Sequence, residues 1–127
     1  MNDILVNALN KIKMYEYIGR GDCEIPSSNL VKEIMVLLQK EGYIKSYEEF
    51  SKGNVKMLRV YLERKINKIG AIKPRFPVKK DDLQKYEQRY IPSKDFGRLI
   101  VSTPQGIMTS REAASLGLGG RLIAYVY

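Results

Sequence analysis

There is no histidine among these 127 residues and only one cysteine, Cys23. The first absence removes the commonest general acid/base and the commonest neutral metal ligand, and with them any Ser-His or Cys-His dyad. The second excludes an internal disulfide. Cys23 lies in an apolar–polar alternation and reads as a small buried hydrophobe rather than a nucleophile. No apolar run approaches the roughly 20 residues that span a bilayer. The start, Met1-Asn2-Asp3, lacks the basic segment and cleavage site of a secretory signal. There is no G-x-x-x-x-G-K phosphate loop and no His/Cys ligand cluster. Paired carboxylates do occur, at Glu48-Glu49 and Asp81-Asp82, where solvated turns and helix capping account for them. These absences set the expectation of a cytoplasmic protein with no catalytic residue, no cofactor, no metal, no membrane segment and no small-molecule substrate.

What is present is positive charge, unevenly spread. The net charge is +8, which favours polyanionic partners such as nucleic acid or an acidic membrane surface. Residues 1–62 carry 9 Lys and Arg against 8 Asp and Glu, whereas residues 63–127 carry 13 against 6. A nucleic-acid face is therefore expected mainly in the second half. The hydrophobic content of 44% suits a folded chain, and the length allows one domain or two small lobes.

Periodicity gives the elements. Ile4, Leu5, Ala8, Leu9 and Ile12 fall on one face of a helix over Asp3–Met14, capped by Asn2 or Asp3. Asp22 to Ile25 alternates like a short strand. Pro26-Ser27-Ser28-Asn29 precedes a second amphipathic helix, from Leu30 to the stop at Gly42. Tyr43–Phe50 and Val55–Leu62 read as strands joined at Ser51-Lys52-Gly53-Asn54. The first lobe, residues 1–62, is thus expected to be α-β-α-β-β.

The second lobe, residues 63–127, is expected to be mostly β with short helices. Two prolines make Ile69–Lys80 extended. Its cations Lys73, Arg75, Lys79 and Lys80 are open to two readings: phosphate contacts, or the Lys and Pro of a protected edge strand. Asp81-Asp82 offers caps for a short helix that Pro92 ends. The most distinctive stretch is Phe96–Tyr127. Strand-like runs at Gly97–Thr103 and Arg121–Tyr127 flank a polar loop, Ser102–Met108, and a helix opened by the capping box Thr109-Ser110-Arg111-Glu112. Gly117 supplies a left-handed stop, and Leu118-Gly119-Gly120 turns into the last strand. Loop hydroxyls, helix-start amides and Arg111 together suit phosphate or ribose oxygens. Met108 reads either as core or as a base contact, and the glycines as turn geometry in any case.

Ser102-Thr103-Pro104-Gln105-Gly106-Ile107-Met108-Thr109 followed by Gly117-Leu118-Gly119-Gly120-Arg121-Leu122-Ile123-Ala124-Tyr125-Val126-Tyr127 resembles the C-terminal signature of ribosomal protein eight of the small subunit. Asn7–Ile12, Pro26-Ser27-Ser28 and Glu41-Gly42-Tyr43-Ile44 carry the resemblance through the first half. Ile66-Asn67-Lys68, Ile72–Val78 and Arg89-Tyr90-Ile91-Pro92 look like the archaeal and eukaryotic branch. The resemblance implies a two-lobed α+β protein that binds an irregular stem in the central domain of small-subunit ribosomal RNA and acts early in assembly. Its partners would be that RNA and neighbouring small-subunit proteins.

On the same analogy Ser102, Thr103, Gln105, Gly106, Met108 and Thr109 of the hydroxyl loop would meet unpaired bases and sugars, and Arg111 phosphate or ribose oxygens. Gly119 and Gly120 would let backbone approach RNA, while Arg121 and the arm cations Lys73, Arg75, Lys79 and Lys80 would hold phosphates. The family usually carries a third hydroxyl where this chain has Pro104, so the interaction of that side chain is missing or replaced. Arg121 stands where bacterial relatives tend to have an acid. Two other functions are weighed against this one: a translational regulator that binds messenger RNA through the same face, and, more weakly, an enzyme acting on phosphorylated or nucleic-acid substrates.

Overall fold

A computed structural model describes residues 3–93 and 96–127. Two compact units divide the chain after Ile69. In the first, Asp3 caps helix α1 (Ile4–Ile18), accepting from the Leu5 and Val6 amides. Asn2, the alternative cap, lies outside the described residues. The helix runs a full turn past Met14, because nothing breaks it before Gly19, whose φ of 78° ends it. Glu16 continues the buried stripe of Leu5, Ala8, Leu9 and Ile12.

Strand β1 (Asp22–Pro26) follows, then α2 (Asn29–Lys40), capped by Ser28 through the Val31 amide. Strands β2 (Ser46–Lys52) and β3 (Val55–Tyr61) meet at a Gly53-Asn54 turn, with Gly53 at φ 64°. β2 begins three residues later than its composition suggests. Gly42, at φ 84°, and the Tyr43 amide, which donates to Leu38 O, spend that stretch closing α2. The antiparallel order is β1-β3-β2. Ile34, Met35 and Leu38 of α2 are fully buried, as are Ile25, Leu58 and Val60 of the sheet. Cys23 is buried too, and desolvation pushes its thiol up to about 11, so it stays protonated and unreactive.

The second sheet comprises β4 (Ile69–Ala71), β5 (Pro77–Val78), β6 (Arg98–Thr103), β7 (Gly106–Thr109) and β8 (Gly120–Val126). Its order is β4-β8-β6-β7, and β5 also pairs with β8. A turn of 3-10 helix at Lys80–Asp82 leads into α3 (Leu83–Tyr90), and α4 spans Ser110–Ser115. Neither Asp81 nor Asp82 makes the expected side-chain cap, because the 3-10 turn already holds Asp82 near helical geometry. Ile91 is extended ahead of Pro92, which ends α3. Val101, Met108 and Leu122 stand abreast on β6, β7 and β8 and form the middle of a core completed by Leu83 and Ala113. The architecture is α+β in two units, α-β-α-β-β followed by mostly β with short helices.

Candidate nucleic-acid interface

The stretch expected to be a loop is a β-hairpin. Thr103 pairs with Gly106, so only Pro104 and Gln105 form the turn, and Ser102 and Met108 belong to strands. Proline suits the first corner of such a turn, since its φ is already set. The Thr103 hydroxyl locks the corner by donating to Gly106 O at 2.9 Å and accepting from the Gln105 amide at 3.2 Å. Thr103 is 9% exposed and Met108 6%. Both shape the hairpin from inside. Of the two readings of Met108, its burial in the core cluster supports core packing.

The helix start is engaged from within as well. The Thr109 hydroxyl accepts from the Glu112 amide at 3.2 Å, and buried Ser110 donates its hydroxyl to Glu87 of α3. The free amides and hydroxyls expected there for phosphate are thus partly spent on capping and helix packing. Arg111 remains exposed at that end of α4.

Gly119 and Gly120, at the start of β8, do something the sequence did not specify. A Cβ on Gly119 would stand 2.6 Å from Val78 O and 3.1 Å from Lys80 N; on Gly120 it would stand 2.0 Å from Ser102 O. Their close approach is to the chain's own backbone, on β5 and on β6.

What the sheet does present is a row. Register places Pro77, Arg121, Ser102 and Ile107 abreast on β5, β8, β6 and β7. At about 4.8 Å per strand the row is roughly 14 Å long. Residues directly opposite in a sheet share a face. All four are exposed or half-buried, whereas the next row inward, Val101, Met108 and Leu122, is buried. Arg121 extends Nη1 to within 3.4 Å of Arg75 O, linking the row to the arm. Lys79 and Lys80, exposed, follow directly from β5; Lys73 is exposed and Arg75 half-buried before it. Gln105 is exposed at the hairpin tip.

Two further cations, which the sequence alone does not single out, extend the basic character of this unit. Lys85 Nζ lies 6.0 Å and Arg89 Cζ 5.4 Å from the Tyr86 ring, which itself packs 5.1 Å from Phe76 of the arm. Their i, i+4 spacing on a short helix is the available signal. Ile107 escapes notice in the sequence because its polar surroundings hide a strand.

A hydroxyl, a guanidinium and an apolar side chain in line on a sheet, flanked by lysines, define a protein surface suited to a polyanion with exposed sugars and bases. The family model described as Ribosomal protein S8 matches residues 3–127, and the chain belongs to that family. Its members are structural proteins of the small ribosomal subunit that bind ribosomal RNA. No helix among the described residues is long and apolar enough to cross a membrane.

Proposed function

We propose that the outward row of the second sheet reads an irregular stem in the central domain of small-subunit ribosomal RNA, and that the protein thereby helps early subunit assembly in the cytoplasm beside neighbouring small-subunit proteins. The observation that carries this reading is the alignment of Arg121, Ser102 and Ile107 in one register row. Such a row can touch a phosphate, a 2′-hydroxyl and a base face at once, which suits unpaired RNA better than a regular A-form groove. Ser102 and Gln105 supply the recognition; Arg121, Lys73, Arg75, Lys79, Lys80 and Arg111 supply attraction. Thr103, Gly106, Met108, Thr109, Gly119 and Gly120 hold the hairpin and the β8 start in place.

The test compares binding to a central-domain fragment with binding to a fully paired stem. Replacing Ser102 and Gln105 together by Ala removes two hydrogen-bonding side chains from the surface. Preference for the irregular fragment should fall by roughly tenfold. Equal loss on both RNAs would defeat the claim that this row reads RNA shape.

A further inference from the structure

The first unit leaves one aromatic side chain almost wholly in solvent. Tyr17 is 88% exposed, with Met14 and Ile18 each 56% exposed beside it on α1. The core does not need it, because the buried stripe of α1 passes through Ile12 and Glu16. Next to Tyr17 a cavity of about 400 Å³ opens between the end of α1 and Ile66-Asn67. That lies toward the lower end of the ~300–1,000 Å³ of small-molecule sites, which is room for a nucleoside but not for a helix or strand.

The far wall of this cavity is held firmly. The Glu16 carboxylate, buried in the last turn of α1, accepts from the Arg64 amide at 3.1 Å and from the Ile66 amide at 3.0 Å. Arg64 takes φ 61°, a left-handed conformation uncommon outside glycine. Its guanidinium lies over Gly19, where any Cβ would collide with it. A costly backbone conformation is maintained here, as at many ligand sites.

The lining combines three chemistries. Asn10 and Asn67 each offer a carboxamide donor and acceptor, Tyr17 and Met14 offer apolar surface, and Lys13 offers positive charge. Outside, Arg64, Lys65 and Lys68 are exposed, and Glu63 is the one acid among residues 63–68. Glu16, the acid in the lining, already accepts two amides. A flat face to stack on, amides for a base edge and cations for a phosphate together match one unstacked nucleotide.

We propose that this cavity receives a single unpaired nucleotide of the bound RNA, with the base on Tyr17, its edge on Asn10 and Asn67, and its phosphate on Lys13. The contact is separate from the row on the second sheet, and it rests on the RNA-binding reading above.

The chain has no tryptophan, so Tyr17→Trp installs the sole indole at an exposed position where the fold tolerates it. Circular dichroism checks folding. Titrating the central-domain fragment should quench the indole in step with binding, and Lys13→Gln should weaken that response. Tyr17→Ala should weaken affinity by about fivefold or more, the worth of one stacked base. RNA binding with unchanged emission overturns this inference alone. So does quenching without any affinity loss in Tyr17→Ala, which would mean proximity and not stacking. If the unsubstituted chain fails to bind the fragment, the proposed function falls, and this inference with it.

Discussion

At Gly120 the sheet closes over a space that would hold no carbon: a Cβ there stands 2.0 Å from the Ser102 carbonyl oxygen. Because that neighbour is backbone in a paired strand, it cannot rotate away. Gly117 differs. Its φ is 71°, but nothing lies within 4 Å of its would-be Cβ. The two positions therefore separate close approach from conformational freedom. Gly120→Ala should cost about 3 kcal/mol, at the upper end of overpacking effects, while Gly117→Ala should cost about 1 kcal/mol for a left-handed alanine. Urea titration of both variants checks this. Equal small losses would show that β8 can shift away from β6 and that Gly120 is kept for something outside the fold. The sequence marks all three glycines of the segment as turn residues. It holds no sign of which strand each meets, since that depends on β8 lying between β5 and β6.

At the scale of elements, legibility follows periodicity. The second helix is plain from its apolar stripe and Ser28, and the Thr109 cap from its T-x-x-E spacing. Ser102–Met108 reads wrongly as a loop because Ser, Thr, Pro, Gln and Gly are turn-formers by composition, yet pairing with Ile100–Thr103 makes Gly106–Thr109 a strand. Glu16 is hard to read for a related reason. A charge at an apolar-stripe position looks like the end of a helix until its partner segment, 48 and 50 residues further on, is known. The hairpin gives a direct test, because neighbouring residues in it have opposite duties. Thr103→Val removes the hydroxyl that closes the turn and leaves the Gln105 amide and Gly106 carbonyl without it. That should lower stability by about 1–2 kcal/mol. Ser102→Ala, on the outward row, should stay within about 0.5 kcal/mol of the parent. Thermal or urea unfolding checks both, and the reverse order would exchange the two roles assigned here.

For the whole molecule the useful quantity is where the charge of +8 sits. A boundary at residue 63 makes the first lobe nearly neutral. The fold instead keeps Glu63–Lys68 with the first unit, so Arg64, Lys65 and Lys68 belong to that unit and both units carry a net positive charge. The sequence can show the excess of cations but not this assignment, which depends on Glu16 binding the Arg64 and Ile66 amides.

The arm poses the remaining question at this scale: whether Lys79 and Lys80 bind phosphate or only guard a strand edge. Both are exposed beyond β5, whose paired side faces β8. Cations that neutralise phosphates release counterions, and removing one such cation flattens the slope of log K against log salt by about 0.7–0.9. Replacing both lysines by Gln should therefore reduce that slope by about 1.4–1.8, and should weaken the irregular fragment and the paired stem alike, because phosphates carry no shape information. Binding measured across a salt series on both RNAs decides it. An unchanged slope would assign the two lysines to protecting the strand and leave Arg121 and the rest of the arm to hold the backbone of the RNA.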